Sequence, residues 1–185
     1  MGADCLSRLL ILRPRLAKRS PEALTLSRPD KESYRDAMSR LAGHVHIAAV
    51  DHAGERRGVT ITAACSVSDD PATLLICLNT KNPKNRLFLE AGVFSLNLLG
   101  ADQLALAQVF SGSEPIEGDR FDHGRWTKLA TGAPVLEDAV AAFDCRIVES
   151  RVVATHMVLF GAVEAVVLGQ RNPALVYLDR AYRSL

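Results

Sequence analysis

The stretch that decides the fold is Gly58-Val59-Thr60-Ile61-Thr62-Ala63-Ala64-Cys65-Ser66-Val67, a run of small, hydroxyl and β-branched residues. Valine, isoleucine and threonine favour strands, and hydroxyl residues alternate here as one face of a strand would require. We therefore expect a strand over residues 58–67 that pairs back, across a turn at 51–55, with a strand over residues 44–50. In one uninterrupted strand, Thr60, Thr62 and Ser66 would share a face.

Outward from this stretch, strands recur with few helices between them. The β pattern is present at residues 73–79, 93–99, 141–154, 156–168 and 174–178. Helical spacing is confined to residues 32–42, 83–90 and 104–110, and Gly43 is a suitable stop for the first helix. Because the strands are mostly connected as hairpins, the sequence predicts a mainly β fold with peripheral helices, an antiparallel barrel rather than a doubly wound sheet.

Length and composition limit the function classes. The 185 residues, 48% hydrophobic, suffice for one domain with a sizeable core. Lys and Arg number 22 against 21 Asp and Glu, so the net charge of +1 indicates neither a nucleic acid nor a membrane as partner. Residues 1–31 hold seven bases, three acids and three prolines, which predicts a flexible basic arm before a domain over residues 32–185.

The cysteines and the N-terminus indicate the compartment. The four cysteines are far apart, form no CxxC pair and follow no secretory leader. We therefore expect reduced thiols, no structural zinc and a cytoplasmic protein.

Two neighbouring stretches have the residue types to hold a nucleotide together. The small residues of 58–67 would let a planar ring approach the backbone, although a strand with a half-solvated hydroxyl face explains them as well. The second stretch, Asn79-Thr80-Lys81-Asn82-Pro83-Lys84-Asn85-Arg86, follows a strand and opens a helix. Unpaired N–H groups and basic side chains at such a point bind phosphate, and the alternative is a solvated basic turn.

The histidines give no independent chemistry. His44 and His46 are two residues apart with no acid or thiol nearby to complete a metal site, so we interpret them as structural. His156 precedes an apolar run, where a buried, hydrogen-bonded imidazole is the ordinary expectation. Spacing assembles no Ser-His-Asp or Cys-His set, and no GxGxxG fingerprint of a Rossmann fold is present.

An ordered series of short motifs resembles the flavin reductase family, which has a split-barrel, flavin-binding fold, across about residues 32–185. The series is Gly58-x-Thr60-x-Thr62-Ala63-x-Cys65-Ser66-Val67-Ser68, Asn79, Gly92-Val93-Phe94-Ser95-Leu96-Asn97-Leu98-Leu99, Asp119-Arg120-Phe121, Ala130-Thr131-Gly132-Ala133-Pro134-Val135-Leu136, Phe143-Asp144-Cys145, Thr155-His156, and Leu175-Val176-Tyr177 with Arg180 and Tyr182. Each motif is weak alone, but their order is specific.

The resemblance implies an antiparallel split β-barrel, a homodimer, FMN or FAD near the dimer interface, and NADH or NADPH as hydride donor. It implies that His156 lies beside the nicotinamide as the catalytic residue. The flavin ring would lie on Thr60, Thr62, Ala63, Ala64, Cys65 and Ser66. The ribityl and phosphate end would be bound by Asn79, Thr80, Lys81, Asn82, Lys84 and Arg86. The pocket would be closed by Arg120, Phe121 and Tyr182.

The implied activity is that of an NAD(P)H-dependent flavin oxidoreductase that passes electrons to a further acceptor, such as a partner monooxygenase. Two alternatives stay open: a flavoprotein cob(II)yrinic acid a,c-diamide (corrin) reductase of cobalamin biosynthesis, and a non-catalytic flavin- or haem-binding split-barrel protein. The sequence departs from many relatives at 82–86, where they carry hydroxyl residues, so both FMN and FAD stay open. It departs again at Ala154, where they carry glycine.

Overall fold

A computed structural model describes residues 28–113 and 115–185, so the predicted basic arm over residues 1–31 lies almost wholly outside the described residues. The α-helices in these residues are α1 Lys31–Ser39, α2 Leu87–Ala91 and α3 Leu104–Ser111. The strands are β1 Gly43–His44, β2 His46–His52, β3 Glu55–Ile61, β4 Ala64–Asp69, β5 Ala72–Asn79, β6 Val93–Leu98, β7 Trp126–Lys128, β8 Pro134–Leu136, β9 Ala141–Val153, β10 His156–Leu168, β11 Leu175–Leu178 and β12 Ala181–Ser184. Short 3₁₀ helices occupy Pro83–Arg86, Ala101–Gln103 and Arg120–Asp122.

Seven strands form an antiparallel split β-barrel. Their order across the sheet is β3-β2-β6-β9-β10-β5-β4, so β3 and β4 are its two edges. Only Thr62 and Ala63 separate β3 from β4 in the chain. The sheet must therefore curl until its edges meet at this corner, although no ladder of hydrogen bonds joins β3 to β4 within the described residues.

The barrel interior is one of two hydrophobic clusters. Alternate residues of β5 point inward, and Leu74, Ile76 and Leu78 are buried against Phe94 and Leu159. This period of two is what a strand with one face on a core requires.

The second cluster lies outside the sheet, under α3 and the long loop that follows it. Phe110 packs edge-on against Phe121 and Trp126, with ring centroids 5.2 and 5.4 Å away. This aromatic packing fixes the loop that carries Arg120 beside the barrel.

Buried polar side chains attach residues 130–136 to the sheet. Asp144 accepts hydrogen bonds from the backbone N–H and the hydroxyl of Thr131. Asn97 donates to the carbonyl of Ile47 at 3.0 Å and accepts from the N–H of Leu136 at 2.8 Å. Each buried group is thereby satisfied, as burial without penalty requires.

The fold class and most strand positions are confirmed. Strands β5, β6, β9 and β10 begin and end within one residue of the predicted ranges, and α3 ends one residue later than predicted. Four predictions on the first half of the domain were wrong in detail. One is the strand over residues 44–50, because His44 belongs to β1 and pairs with β11, whereas β2 begins at His46.

The predicted strand over residues 58–67 is in fact two strands. β3 pairs with β2, as the predicted hairpin requires, but β4 pairs with β5 at the opposite edge of the sheet. The reason is the curl of the sheet, which brings the end of β3 and the start of β4 together, so that the chain bends at Thr62 and Ala63. Thr60 and Ser66 therefore belong to different sheet edges and share no continuous strand face.

The first helix and the first turn are shorter than predicted. Helix α1 ends at Ser39, and Gly43 belongs to β1, where an added Cβ would lie 2.9 Å from the Cβ of Thr62. The turn expected at 51–55 comprises only Ala53 and Gly54, which both have positive φ, so β2 and β3 extend further towards it.

The described residues contain no helix long and apolar enough to cross a bilayer.

Candidate functional site

An apolar groove lies outside the barrel at the corner where the sheet edges meet. It has a volume of about 700 Å³, and its lining includes Thr62, Ala63, Ala64, Cys65, Cys77 and Tyr177. We call it the outer groove. Burial, and then the neighbouring Cys65, raises the pKa of Cys77, so the Cys77 thiol stays protonated near neutral pH. Four of the residues predicted to hold a flavin ring are thus in one place, against small side chains.

His156 and Asn79 are directly opposite each other in the β10–β5 ladder. The hydroxyl of Thr155 is 3.0 Å from Nδ1 of His156, which is half-buried. Thr80 is held at this position by two hydrogen bonds, since its N–H and its hydroxyl both donate to the carbonyl of Thr155 at 3.0 Å. The predicted catalytic residue and the start of the predicted phosphate-binding turn therefore adjoin.

Hydrogen bonds connect this point to both the outer groove and the start of β3. The N–H of Cys77, two residues before Asn79, donates to the carbonyl of Ala63 at 2.9 Å. Asn85 donates from Nδ2 to the carbonyl of Asn79 at 2.9 Å, and its Oδ1 accepts from Nε of Arg57 at 3.0 Å. Hydrogen bonds through Cys77 and the buried Asn85 thus connect the outer groove, Asn79 and Arg57.

The turn after β5 is shaped by its own asparagines. The side chain of Asn79 accepts from the N–H of Lys81 at 2.9 Å, and that of Asn82 accepts from the N–H of Lys84 at 3.1 Å. Such asparagine turns fix the backbone without any ligand. Pro83 then opens the 3₁₀ helix, where its missing N–H is no loss.

Beyond this turn lies a basic cavity of about 660 Å³. Its lining includes Arg56, Arg57, Gly58, Asn82, Lys84, Arg120 and Phe121. The sequence-predicted residues Asn82, Lys84, Arg120 and Phe121 are therefore brought together here, from two distant parts of the chain.

The charge of this basic cavity is only partly compensated. Arg56 forms an ion pair with Asp119 at 2.5 Å and lies over the ring of Phe121, 4.8 Å from its centroid. Among the described residues neither Arg57 nor Arg120 has a carboxylate partner. Burial, and then the neighbouring Arg120, lowers the pKa of Arg57. An anion placed between the two guanidinium groups would relieve that repulsion.

The remaining predicted residues lie elsewhere. The hydroxyl of Thr60 donates to the carbonyl of Ala107 in α3 at 2.7 Å, so it is engaged away from the outer groove. Tyr182 packs on Tyr177, with ring centroids 5.2 Å apart. Ser66 lines a different cavity, inside the barrel mouth. Lys81 and Arg86 are exposed and line neither the outer groove nor the basic cavity.

Sequence reasoning missed Arg56, Arg57 and Asn85. Arg56 and Arg57 stand immediately before the motif that begins at Gly58, but nothing in their spacing pairs them with Lys84 or Arg120. The pairing of β2 with β3 and the position of the 3₁₀ helix Pro83–Arg86 bring these residues together in the fold.

Comparison with known proteins identifies the family of this chain. The sequence profile of the family described as "Flavin reductase like domain" matches residues 38–185. The chain belongs to this family. Of the relatives it resembles, the FMN reductase (NADH) RutF 2 of Methylorubrum extorquens strain PA1 is 46% identical over 165 residues, which are 89% of this chain and 92% of that protein. The FMN reductase (NADH) RutF of Variovorax paradoxus strain S110 is 43% identical over 155 residues, 84% of this chain and 86% of that protein.

A solved structure of the family shares the fold. BorF, the flavin reductase component of a bacterial two-component tryptophan halogenase, superposes with a TM-score of 0.77 at 29% identity, covering 84% of this chain and 98% of that chain. The resemblance stated from the motifs is therefore confirmed.

Proposed function

We propose that this protein is an NADH-dependent flavin reductase that binds FMN along the surface from the outer groove to the basic cavity. One observation carries the proposal: an apolar groove and an uncompensated pair of guanidinium groups are joined by the β5 end, where Asn79 lies opposite His156. A ligand with a planar ring at one end and a phosphate at the other has matching chemistry. The flavin ring, when bound, supplies the acceptor for the hydride of NADH.

The outer groove fits the ring. Ala63, Ala64 and Cys65 are small, so a flat ring can approach the backbone of the exposed edge strand β4. Unpaired N–H groups of an edge strand are available to bond the polar rim of such a ring.

The basic cavity fits the phosphate. Lys84, Arg57 and Arg120 supply charge, and the turn fixed by Asn82 holds Lys84 in place. Charge-assisted hydrogen bonds from guanidinium groups to phosphate are stronger than neutral ones, and a dianion would offset the repulsion between Arg57 and Arg120. The room and charge also suit the pyrophosphate of FAD, but the relatives above are named for FMN.

His156 is proposed to orient the nicotinamide. Nδ1 is within hydrogen-bond distance of the Thr155 hydroxyl, which fixes the ring, while Nε2 makes no hydrogen bond within the described residues. Nε2 is therefore free to bond the carboxamide of the nicotinamide. Such a hydrogen bond would hold the hydride-donating carbon of the nicotinamide in position, and the protein would transfer no proton.

A homodimer is part of the proposal. The outer groove is flanked by Tyr34, Met38 and Leu41, whose exposed fractions are 58%, 44% and 65%. A second copy of the chain covering these side chains would bury them and enclose the ring. The chain has a mass of 20.0 kDa, and light scattering of the protein in solution should give twice that mass.

The test of the activity is anaerobic NADH oxidation followed at 340 nm, with and without added FMN or FAD. We expect turnover that scales with added FMN. Flavin binding without NADH oxidation would instead identify a non-catalytic flavin-binding protein. Reduction of cob(II)yrinic acid a,c-diamide by a yellow protein without added flavin would favour the corrin reductase alternative.

The role of His156 predicts a matched pair of variants. His156→Ala should slow NADH oxidation by about 10- to 100-fold, the size of one lost positioning contact, while urea unfolding stays the same. His52→Ala, at the exposed end of β2, is the control and should keep full activity. A folded His156→Ala variant that oxidises NADH at the normal rate would remove His156 from the mechanism.

A further inference from the structure

A third cavity opens inside the barrel mouth, where β5 begins. Its volume is about 330 Å³, and its apolar lining includes Leu74, Leu96, Leu98, Phe143 and Val163. We call it the barrel-mouth cavity. The mouths of β-barrels are places where small ligands bind, because side chains no longer fill the interior.

The barrel-mouth cavity adjoins the outer groove but lies far from the Asn79 end of the proposed flavin surface. Ala72 and Leu74 lie at the start of β5, whereas Asn79 lies at its end. Five to seven residues of strand separate them, about 17–23 Å. The two regions share only the wall formed by Ala64 and Cys65, since β4 is an edge strand with a surface on each side.

His46 is the unusual residue of this lining. Its side chain is only 7% exposed, and Nδ1 is the one buried side-chain nitrogen or oxygen among the described residues that has no hydrogen-bond partner. Burial, and then the neighbouring His44, lowers the pKa of His46 to about 3, so its ring is neutral at physiological pH. Buried polar groups are normally paired, yet neither ring nitrogen of His46 has a hydrogen-bond partner among the described residues, and the imidazole lines the barrel-mouth cavity.

Most other polar groups of the barrel-mouth cavity are already engaged. The hydroxyl of Ser68 donates to the carbonyl of Asp70 at 3.1 Å, and that of Thr73 donates to the carbonyl of Pro71 at 2.9 Å. Asp69 adds a carboxylate, which disfavours an anionic ligand. What remains is an apolar space with one neutral imidazole and the hydroxyl of Ser66.

We propose that the barrel-mouth cavity binds a small, uncharged, mostly apolar ring that carries a hydroxyl group, and that this hydroxyl hydrogen-bonds to His46. The neutral ring suits an uncharged partner, because a charge would lose its hydration among leucine, valine and phenylalanine side chains. Phenol has this chemistry, and toluene is nearly the same shape without the hydroxyl.

The experiment titrates phenol and toluene separately into the full-length protein and follows the methyl groups of Leu74, Leu96 and Val163 by NMR. We expect both probes to shift these signals, with phenol binding about five- to ten-fold more tightly through its one hydrogen bond. In His46→Leu the phenol hydroxyl would be buried without a partner, so toluene should bind more tightly than phenol. In His52→Leu, the matched control on the same strand, the preference for phenol should persist.

A direct readout covers the case in which His46→Leu does not fold. Binding of phenol to the unmodified protein should shift the ring nitrogen signals of His46. Equal affinities of the unmodified protein for phenol and toluene, or His46 ring signals that do not move when phenol binds, would contradict the proposal. Shifts confined to Met38 would place the phenol in the outer groove and contradict it too.

Discussion

Strand β5 runs between two cavities whose linings differ in charge. At its end, Asn79 leads through Asn85 to Arg57 and the basic cavity, where guanidinium groups repel one another. At its start, Leu74 faces the barrel-mouth cavity, where His46 is neutral and most of the lining is apolar. The two ends of one strand differ in charge because the basic cavity takes its positively charged side chains from β3 and from the 3₁₀ helices at Pro83–Arg86 and Arg120–Asp122, whereas strand residues alone line the barrel-mouth cavity.

Removing a positive charge from the basic cavity, near the Asn79 end of β5, should have the largest effect, and that effect is on FMN binding. Arg57→Gln is expected to weaken FMN binding by about 10- to 100-fold, the loss of a charge-assisted hydrogen bond to phosphate. Quenching of flavin fluorescence measures this affinity. By contrast, His46→Leu, in the barrel-mouth cavity at the start of β5, should leave FMN binding unchanged.

The control for lost charge is Arg183→Gln, because Arg183 is exposed on β12 and lines neither the outer groove nor the basic cavity. If Arg57→Gln and Arg183→Gln bind FMN equally well, the basic cavity does not hold the phosphate.

Gly58, in the wall of the basic cavity, tests how tightly that wall packs against Phe110. An added Cβ would lie 2.3 Å from Cε1 of Phe110, which is fully buried. Gly58→Ala should therefore destabilise the fold by about 1–3 kcal/mol, as overpacked cores do, measured by urea unfolding. The double variant with Phe110→Leu should lose less than the sum of the two single variants. Strictly additive losses would show that Gly58 and Phe110 do not conflict.

The buried imidazole of His46, in the barrel-mouth cavity beside Leu74, should make the free energy of unfolding depend on pH. The unfolded imidazole takes up its proton near pH 6.5, whereas the folded one does so only near pH 3. Between these values the unfolded state binds more protons, so the free energy of unfolding falls as the pH falls. From pH 6 to pH 5 the expected loss from this group is about 1 kcal/mol.

In His46→Leu the loss between pH 6 and pH 5 should shrink by that amount, whereas His52→Leu should retain it. Urea unfolding at the two pH values provides the measurement. An identical pH slope in the unmodified protein and in His46→Leu would mean that the imidazole is protonated in the fold.

The sequence sufficed for the parts of the fold that local pattern controls. β5, β9 and β10 were predicted almost to the residue, because alternation and flanking turns mark them. The corner at Thr62 and Ala63 could not be predicted, since it results from the curl of the whole sheet, a property of all seven strands together. The strand β12 and the hairpin β7–β8 were missed because their three or four residues carry too little periodicity.

The candidate site divides in the same way. The motifs predict Asn79, Lys84, Arg120 and His156 as site residues, and the fold places Lys84 and Arg120 on one cavity. Arg57 could not be predicted, because its place depends on one hydrogen bond to Asn85, 28 positions further along the chain. That Nδ1 of His46 has no hydrogen-bond partner could not be predicted either, because hydrogen bonds of a side chain depend on the folded structure.

The smallest expected effect concerns the turn beside Asn79. Ala154, between β9 and β10, has a φ of 51°, whereas no residue of the described turn at 69–72, at the other end of β5, has a positive φ. A side chain is disfavoured in that conformation and glycine is not. Ala154→Gly should therefore raise the free energy of unfolding by about 0.5–1 kcal/mol. Ala165→Gly, the same change inside strand β10, should lower it by a similar amount, because glycine loses more backbone freedom there. Urea midpoints that move in the same direction for both variants would show that the turn relaxes without strain.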